Sequence, residues 1–96
     1  MLLRKEVKDF AESMEYKLQT HDDRPGWKYC PPDWLIKRLK EELAEVEKVL
    51  DERGDGWLTR LTMECADVAN FAMMIQDAAI AQWADTIDDR AVPKEF

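Results

Sequence analysis

The chain reads as an all-α protein, with three main helices forming a helical hairpin bundle whose core is completed by dimerisation. Three observations predict this. Ala, Leu, Glu and Lys are abundant, with five Met besides, while Val, Ile and Thr are each few, which favours helix over sheet. With only three Gly and four Pro, few positions interrupt a helix. Apolar residues recur at steps of three and four along most of the chain. At 96 residues it is one domain, 1–96, and its 46% hydrophobic content excludes a disordered chain despite 36% charged residues.

The first helix is expected over about residues 2–20, where Leu3, Val7, Phe10, Met14 and Leu18 form an amphipathic stripe. Residues 21–31, His-Asp-Asp-Arg-Pro-Gly-Trp-Lys-Tyr-Cys-Pro, carry breakers and read as a loop. The second helix starts near Pro32 or Asp33, because proline is tolerated in a first turn and Asp suits the positive end of the helix dipole. It runs to about Arg53, where Gly54 ends it, with Leu35, Leu39, Leu43, Val46 and Leu50 as its stripe. Asp55 reads as the N-cap of the third helix. That helix extends from about Gly56 to Trp83–Ile87, with Trp57, Leu61, Val68, Phe71, Ile75 and Ala79 as its stripe. The tail from Asp88 to Phe96 is charged, contains Pro93, and reads as a short extension or an arm.

These lengths carry a consequence. A third helix of ~30 residues is ~45 Å long, whereas a second of ~20 reaches only ~30 Å. The overhang Ala78-Ala79-Ile80-Ala81-Gln82-Trp83 is too apolar to be left wet. A second copy of the chain is the simplest cover. This predicts an obligate homodimer with a four-helix-bundle-like core, or a dimer of dimers, which is a homotetramer.

The formal net charge of −7 argues against a nucleic-acid partner, because such binding is driven by basic patches. A small polyphosphate is still accessible to an acidic protein if a metal ion supplies the positive charge. Cys30 and Cys65 are too few for a disulfide framework, and with His21 they show no zinc-ligand spacing. Two free thiols suit a reducing cytoplasm. The start, Met1 to Asp9, has no apolar signal-peptide core, and no run approaches the ~18 residues of a membrane span. A cytoplasmic protein with no membrane partner is expected.

Chemistry concentrates in two acidic clusters, Glu41-Glu42-Leu43-Ala44-Glu45 and Glu64-Cys65-Ala66-Asp67. Each holds carboxylates three apart, on one side of its helix. Facing each other across a helix interface, Glu42, Glu45, Glu64 and Asp67 would form the oxygen ring that a hard divalent cation such as Mg²⁺ needs. On a helical wheel centred on Leu39, Glu42 falls about 60° away, on the shoulder of the stripe, and Glu45 about 120° away. Glu64 falls in the middle of the third helix's apolar face, with Asp67 about 60° aside and Asn70 continuing that row. A buried, unpaired carboxylate costs several kcal/mol or more. Something positive faces Glu64, or it is protonated. Alternatives stand beside the metal: a Glu-rich stretch is commonly a solvated face, and Arg38 or Lys40 could pair with Glu64. Di-iron bundles are set aside because they need Glu-x-x-His on two helices. No Walker A motif or Gly-rich phosphate loop occurs.

Glu-Glu-x-x-Glu at 41–45, eighteen residues, then Glu-x-x-Asp at 64–67 resembles the signature of the MazG-like all-α nucleoside triphosphate pyrophosphohydrolases. The run from Glu64 to Ile75 is particularly similar to short members, and the resemblance covers roughly residues 30–80. It implies Mg²⁺-dependent hydrolysis, with Mn²⁺ as a possible substitute, of nucleoside triphosphates, dNTPs above all, to the monophosphate and pyrophosphate. That is a house-cleaning or pool-controlling activity. It implies Glu42, Glu45, Glu64 and Asp67 as metal ligands and Glu41 as a water-orienting position. Glu41 or Glu45 could then take the proton of the attacking water. Arg38, Lys37, Lys28 and Lys40 become candidates for phosphate charge. Trp34 and Trp27 become candidates for stacking on a base, against the plainer role of core or dimer anchors. Asn70 becomes a candidate for supporting a ligand or touching the sugar. Two rivals remain: a catalytically silent helical dimerisation or nucleotide-sensing module of the same fold, and a structural bundle with salt-bridged glutamates.

Overall fold

α3 (Trp57–Ile87) is the spine of the molecule, and α1 (Lys5–Gln19) and α2 (Pro32–Glu52) both lie along it. The computed structural model describes residues 1–87, and among them there are these three helices and no strand. The all-α reading holds. The tail expected to be an extension or an arm lies outside the described residues. No helix among those described is long and apolar enough to cross a membrane.

Helix boundaries follow local chemistry. Pro31 is extended at the N-cap of α2, Pro32 opens the helix and Asp33 sits in its first turn. α2 ends as Arg53 turns to φ 49, followed by Gly54 at φ 59 and Gly56 at φ 72. Only glycine takes such angles freely. Gly56 therefore directly precedes α3, and Asp55, expected as its N-cap, is displaced one residue outward. The turn is braced instead by Arg60, which donates to the backbone carbonyls of Asp55 (2.6 Å) and Arg53 (3.2 Å). The Arg53 guanidinium lies 4.9 Å from the centre of the Trp57 ring. α1 begins at Lys5, so Leu3 of the expected stripe precedes it.

Two cross-helix pairs give the direction of α1. Asn70 Nδ2 donates to the Met14 carbonyl at 3.0 Å, and Lys17 pairs with Asp67 at 3.4 Å. Numbers rise along α1 as they fall along α3, so the two are antiparallel. α2 runs the same way, with Arg38 over Phe71 and Glu42 beside Glu64. Hence α1 and α2 are parallel to each other, and among the described residues they do not meet.

Parallel neighbours cannot be joined by a tight turn, so residues 20–31 must travel back along α3. That return path covers part of the overhang. Asp77 accepts hydrogen bonds from Trp27 Nε1 and Lys28 Nζ, both at 2.8 Å. Gln82 Nε2 donates to the carbonyls of Lys28 (3.0 Å) and Cys30 (2.8 Å). Ala78 is fully buried, while Ile80 remains exposed. The chain's own loop thus covers part of the overhang, while Ala79, Ile80 and Trp83 remain exposed.

α2 also differs in phase from its expected stripe. Leu35 and Val49 are buried, and Arg38, Leu39, Glu42 and Val46 are half-buried, whereas Leu43 and Leu50 are exposed. The face on α3 is centred near Glu42, within about 20° by the helical wheel. Leu35 is the one large side chain among the described residues that is fully buried. The radius of gyration, 16.3 Å, exceeds the ~12–13 Å of a compact chain of this length. The three helices form an open layer rather than a closed bundle.

Candidate functional site

The antiparallel α2–α3 pairing brings the two acidic clusters to one level. One carboxylate oxygen each from Glu42, Glu64 and Asp67 lies within 4.8 Å of the others, all three side chains half-buried. Glu45, the fourth expected ligand, is exposed and outside this group, because three residues on from Glu42 is too far round α2. It is still near enough for its charge to act on Glu64.

The carboxylates differ in their partners. Arg38 donates from Nη2 to Glu42 Oε1 at 3.3 Å and also pairs with Glu41, while its guanidinium lies 5.4 Å from the Phe71 ring centre. Asp67 has Lys17. Among the described residues no basic group pairs with Glu64; neither Arg38 nor Lys40 takes that place. Burial is the largest cause holding the Glu64 carboxyl above its ordinary range. The charges of Asp67 and Glu42, a hydrogen bond with Glu42, and the charge of Glu45 add to it. The cluster thus has a surplus of negative charge at its most enclosed member.

Beside it lies a cavity of about 380 Å³, left because α1 and α2 lean on α3 without touching. Its size suits a small-molecule ligand. Trp27, Trp34, Leu35, Phe71 and Met74 line it with Leu18 and, as charged groups, Glu15, Asp22 and Arg24. Phe71 joins the two features: it walls the cavity and carries Arg38 over its ring. The two tryptophans expected to meet a base therefore share one cavity, linked to the carboxylates through Phe71 and Arg38.

The other expected contacts fall elsewhere. Lys28 is engaged by Asp77, and Lys37 is exposed, lining neither the cavity nor the cluster. Glu41 is exposed at the rim, on Arg38. Asn70 is only 3% exposed, closed in between α1 and α3, and does not line the cavity; its Oδ1 has no partner among the described residues. Sequence reading missed Lys17, Arg24 and Phe71. Lys17 sits one position from Leu18 on α1, and only the α1–α3 register brings it to Asp67. Arg24 stands in a breaker-rich loop whose path periodicity does not encode.

Two expectations follow for these supports. Asn70→Ala removes the tie to Met14 and lowers stability by about 1 kcal/mol, read by urea unfolding. Asp77→Ala releases Trp27 and Lys28 together, so Trp fluorescence shifts and amides of residues 24–30 exchange faster while the α2–α3 amides do not.

Comparison of the chain with protein-family models, curated proteins and solved structures returns no match. The functional reading rests on the residues and their geometry.

Proposed function

We propose that this chain is a MazG-like nucleoside triphosphate pyrophosphohydrolase, dependent on Mg²⁺ or Mn²⁺, that releases pyrophosphate and the monophosphate, acting in the cytoplasm as a homo-oligomer. The observation carrying the reading is the convergence of Glu42, Glu64 and Asp67 from two helices, with no basic partner for Glu64 among the described residues and an aromatic cavity joined to the cluster through Phe71 and Arg38. An all-oxygen, net-negative donor set fits a hard cation. Glu42, Glu64 and Asp67 would hold it, with Glu45 reaching through water. When bound, such an ion offsets triphosphate charge and lowers the pKa of water.

The chain's own groups supply the rest. Trp27, Trp34 and Phe71 offer faces on which a base stacks in the cavity. Arg38, at the junction of cavity and cluster, can exchange its bond to Glu41 for one to phosphate oxygen. Glu41 or Glu45, both exposed at the rim, can take the proton from attacking water. The deciding experiment is a panel of ribo- and deoxyribonucleoside triphosphates assayed for pyrophosphate with Mg²⁺ and with Mn²⁺. Absence of pyrophosphate from every substrate sinks the reading.

One observation favours a second reading. Lys17 and Arg38 already balance Asp67 and Glu42, as they would in a catalytically silent nucleotide-sensing module. Nucleotide binding without product over hours would select it.

A further inference from the structure

The aromatic cavity is lined by charges of both signs that do not pair. Glu15 on α1, and Asp22 and Arg24 in the loop after it, all face it. Asp22 and Arg24 are only two residues apart, and the loop backbone is tied at both: Asp22 N–H donates to the Gln19 carbonyl (3.3 Å) and Arg24 N–H to the His21 carbonyl (3.0 Å). Yet among the described residues no ion pair or side-chain hydrogen bond engages Glu15, Asp22 or Arg24. The cations elsewhere around the site are taken: Lys17 by Asp67, Lys28 by Asp77, and Arg38 by Glu41 and Glu42. Opposite charges that share a cavity without meeting leave room for an occupant that bridges them.

The donor and acceptor pattern narrows that occupant. An ionised carboxylate only accepts hydrogen bonds, and a guanidinium only donates them. A base stacked on Trp27, Trp34 or Phe71 therefore meets acceptors at Glu15 and Asp22 and a fork of donors at Arg24. Guanine offers both halves of the match. Its N1–H and N2 amino group donate side by side, and its O6 and N7 accept side by side, the pair that arginine reads with two hydrogen bonds. Uracil and thymine set one N–H between two carbonyl oxygens, which a carboxylate repels. Adenine and cytosine each bring a single donor group, the exocyclic amine, with an acceptor nitrogen next to it.

We infer that the cavity selects guanine nucleotides, with Glu15 and Asp22 accepting from N1–H and the N2 amino group and Arg24 donating to O6 and N7. The inference rests on the reading that this cavity holds the base of a nucleotide, and it adds which base. The fold divides the work accordingly. α2 and α3 carry the carboxylate cluster, while the groups that read the base stand on α1 and the loop after it.

Nucleoside 5′-monophosphates, equal in charge, test the base without turnover when their binding to the full chain is followed by the indole N–H resonances of its tryptophans. GMP is expected to bind at least about 100-fold tighter than UMP, and about tenfold tighter than IMP, which lacks only the N2 amino group. The double variant Glu15→Ala/Asp22→Ala is expected to erase the preference for GMP over IMP. Arg24→Ala is expected to weaken both alike and keep their ratio, because both carry O6 and N7. All three side chains are exposed, so the variants keep the fold. AMP, CMP or UMP binding as tightly as GMP overturns the inference. So does a GMP preference that survives in the double variant, or no response to GMP at about 10 mM. Selective GMP binding with no pyrophosphate from any triphosphate sinks the hydrolysis and leaves the base assignment standing. Equal pyrophosphate release from every triphosphate does the reverse.

Discussion

Glu42→Gln and Asp67→Asn are each expected to cut Mg²⁺-dependent pyrophosphate release by at least about a hundredfold. Both changes keep side-chain volume and remove a formal charge from a cluster whose oxygens lie within 4.8 Å of each other. A divalent ion held by three carboxylates loses about a third of the charge opposing it, and amide oxygens are weaker donors. The substitutions also free a cation: Arg38 loses one of its two carboxylates, or Lys17 loses Asp67. A second cation then faces the metal, which adds to the loss. Lys37→Ala, at an exposed position away from cavity and cluster, is expected to leave the rate unchanged. Unaltered release in both carboxamide variants would remove the proposed catalytic centre.

Glu64→Gln is expected to act in two directions at once. Glu64 has its proton affinity raised by burial first and by neighbouring carboxylates second. The folded state therefore holds that proton more tightly than the unfolded chain does. The resulting stabilisation is complete below the ordinary glutamate range and is lost as pH rises through the raised value. Above the pH at which it ionises, Glu64 of the metal-free protein is a half-buried charge among like charges. Gln removes that charge, so the metal-free variant melts higher than wild type, by about 4–8 °C for each ~1 kcal/mol relieved. The same variant loses the rise in Tm that Mg²⁺ or Mn²⁺ gives the wild type by mass action. Metal and proton compete for Glu64, so the wild-type metal-induced shift grows with pH over the window in which the metal-free protein weakens. A Glu64→Gln chain less stable than wild type without metal would show that Glu64 serves packing rather than a site.

Helix identity was legible because periodicity and breakers act locally: Pro31-Pro32 opens α2, and Gly54 and Gly56 separate it from α3. The inward position of Glu64 was legible too, since the residues around it on α3 are apolar on both sides. The phase of α2 was not. Its leucines serve two faces, and a wheel centred on Leu39 averages them, placing Glu42 on a shoulder when it lies near the middle of the α3 contact. Glu45 is a separate case: the corrected phase brings it nearer the contact face, from about 120° to about 70° on the wheel, yet it remains exposed. The loop path was likewise hidden. That Asp77 and Gln82 hold residues 27–30 depends on α1 and α2 being parallel. No local pattern in either helix encodes that direction.

The parallel course of α1 and α2 also sets a hierarchy of opening. α2 and α3 are joined by four residues, and their pairing is local in sequence. α1 and the loop after it reach α3 through contacts distant in sequence, among them Asn70 to Met14, Asp67 to Lys17, and Asp77 and Gln82 to the loop. They therefore form a separable cooperative unit, able to detach and re-dock while the hairpin stays intact. The cavity lies between that unit and the hairpin. A ligand lodged there bridges the two units, so its binding energy appears first as slower amide exchange in α1 and the loop, before any gain in the global unfolding transition.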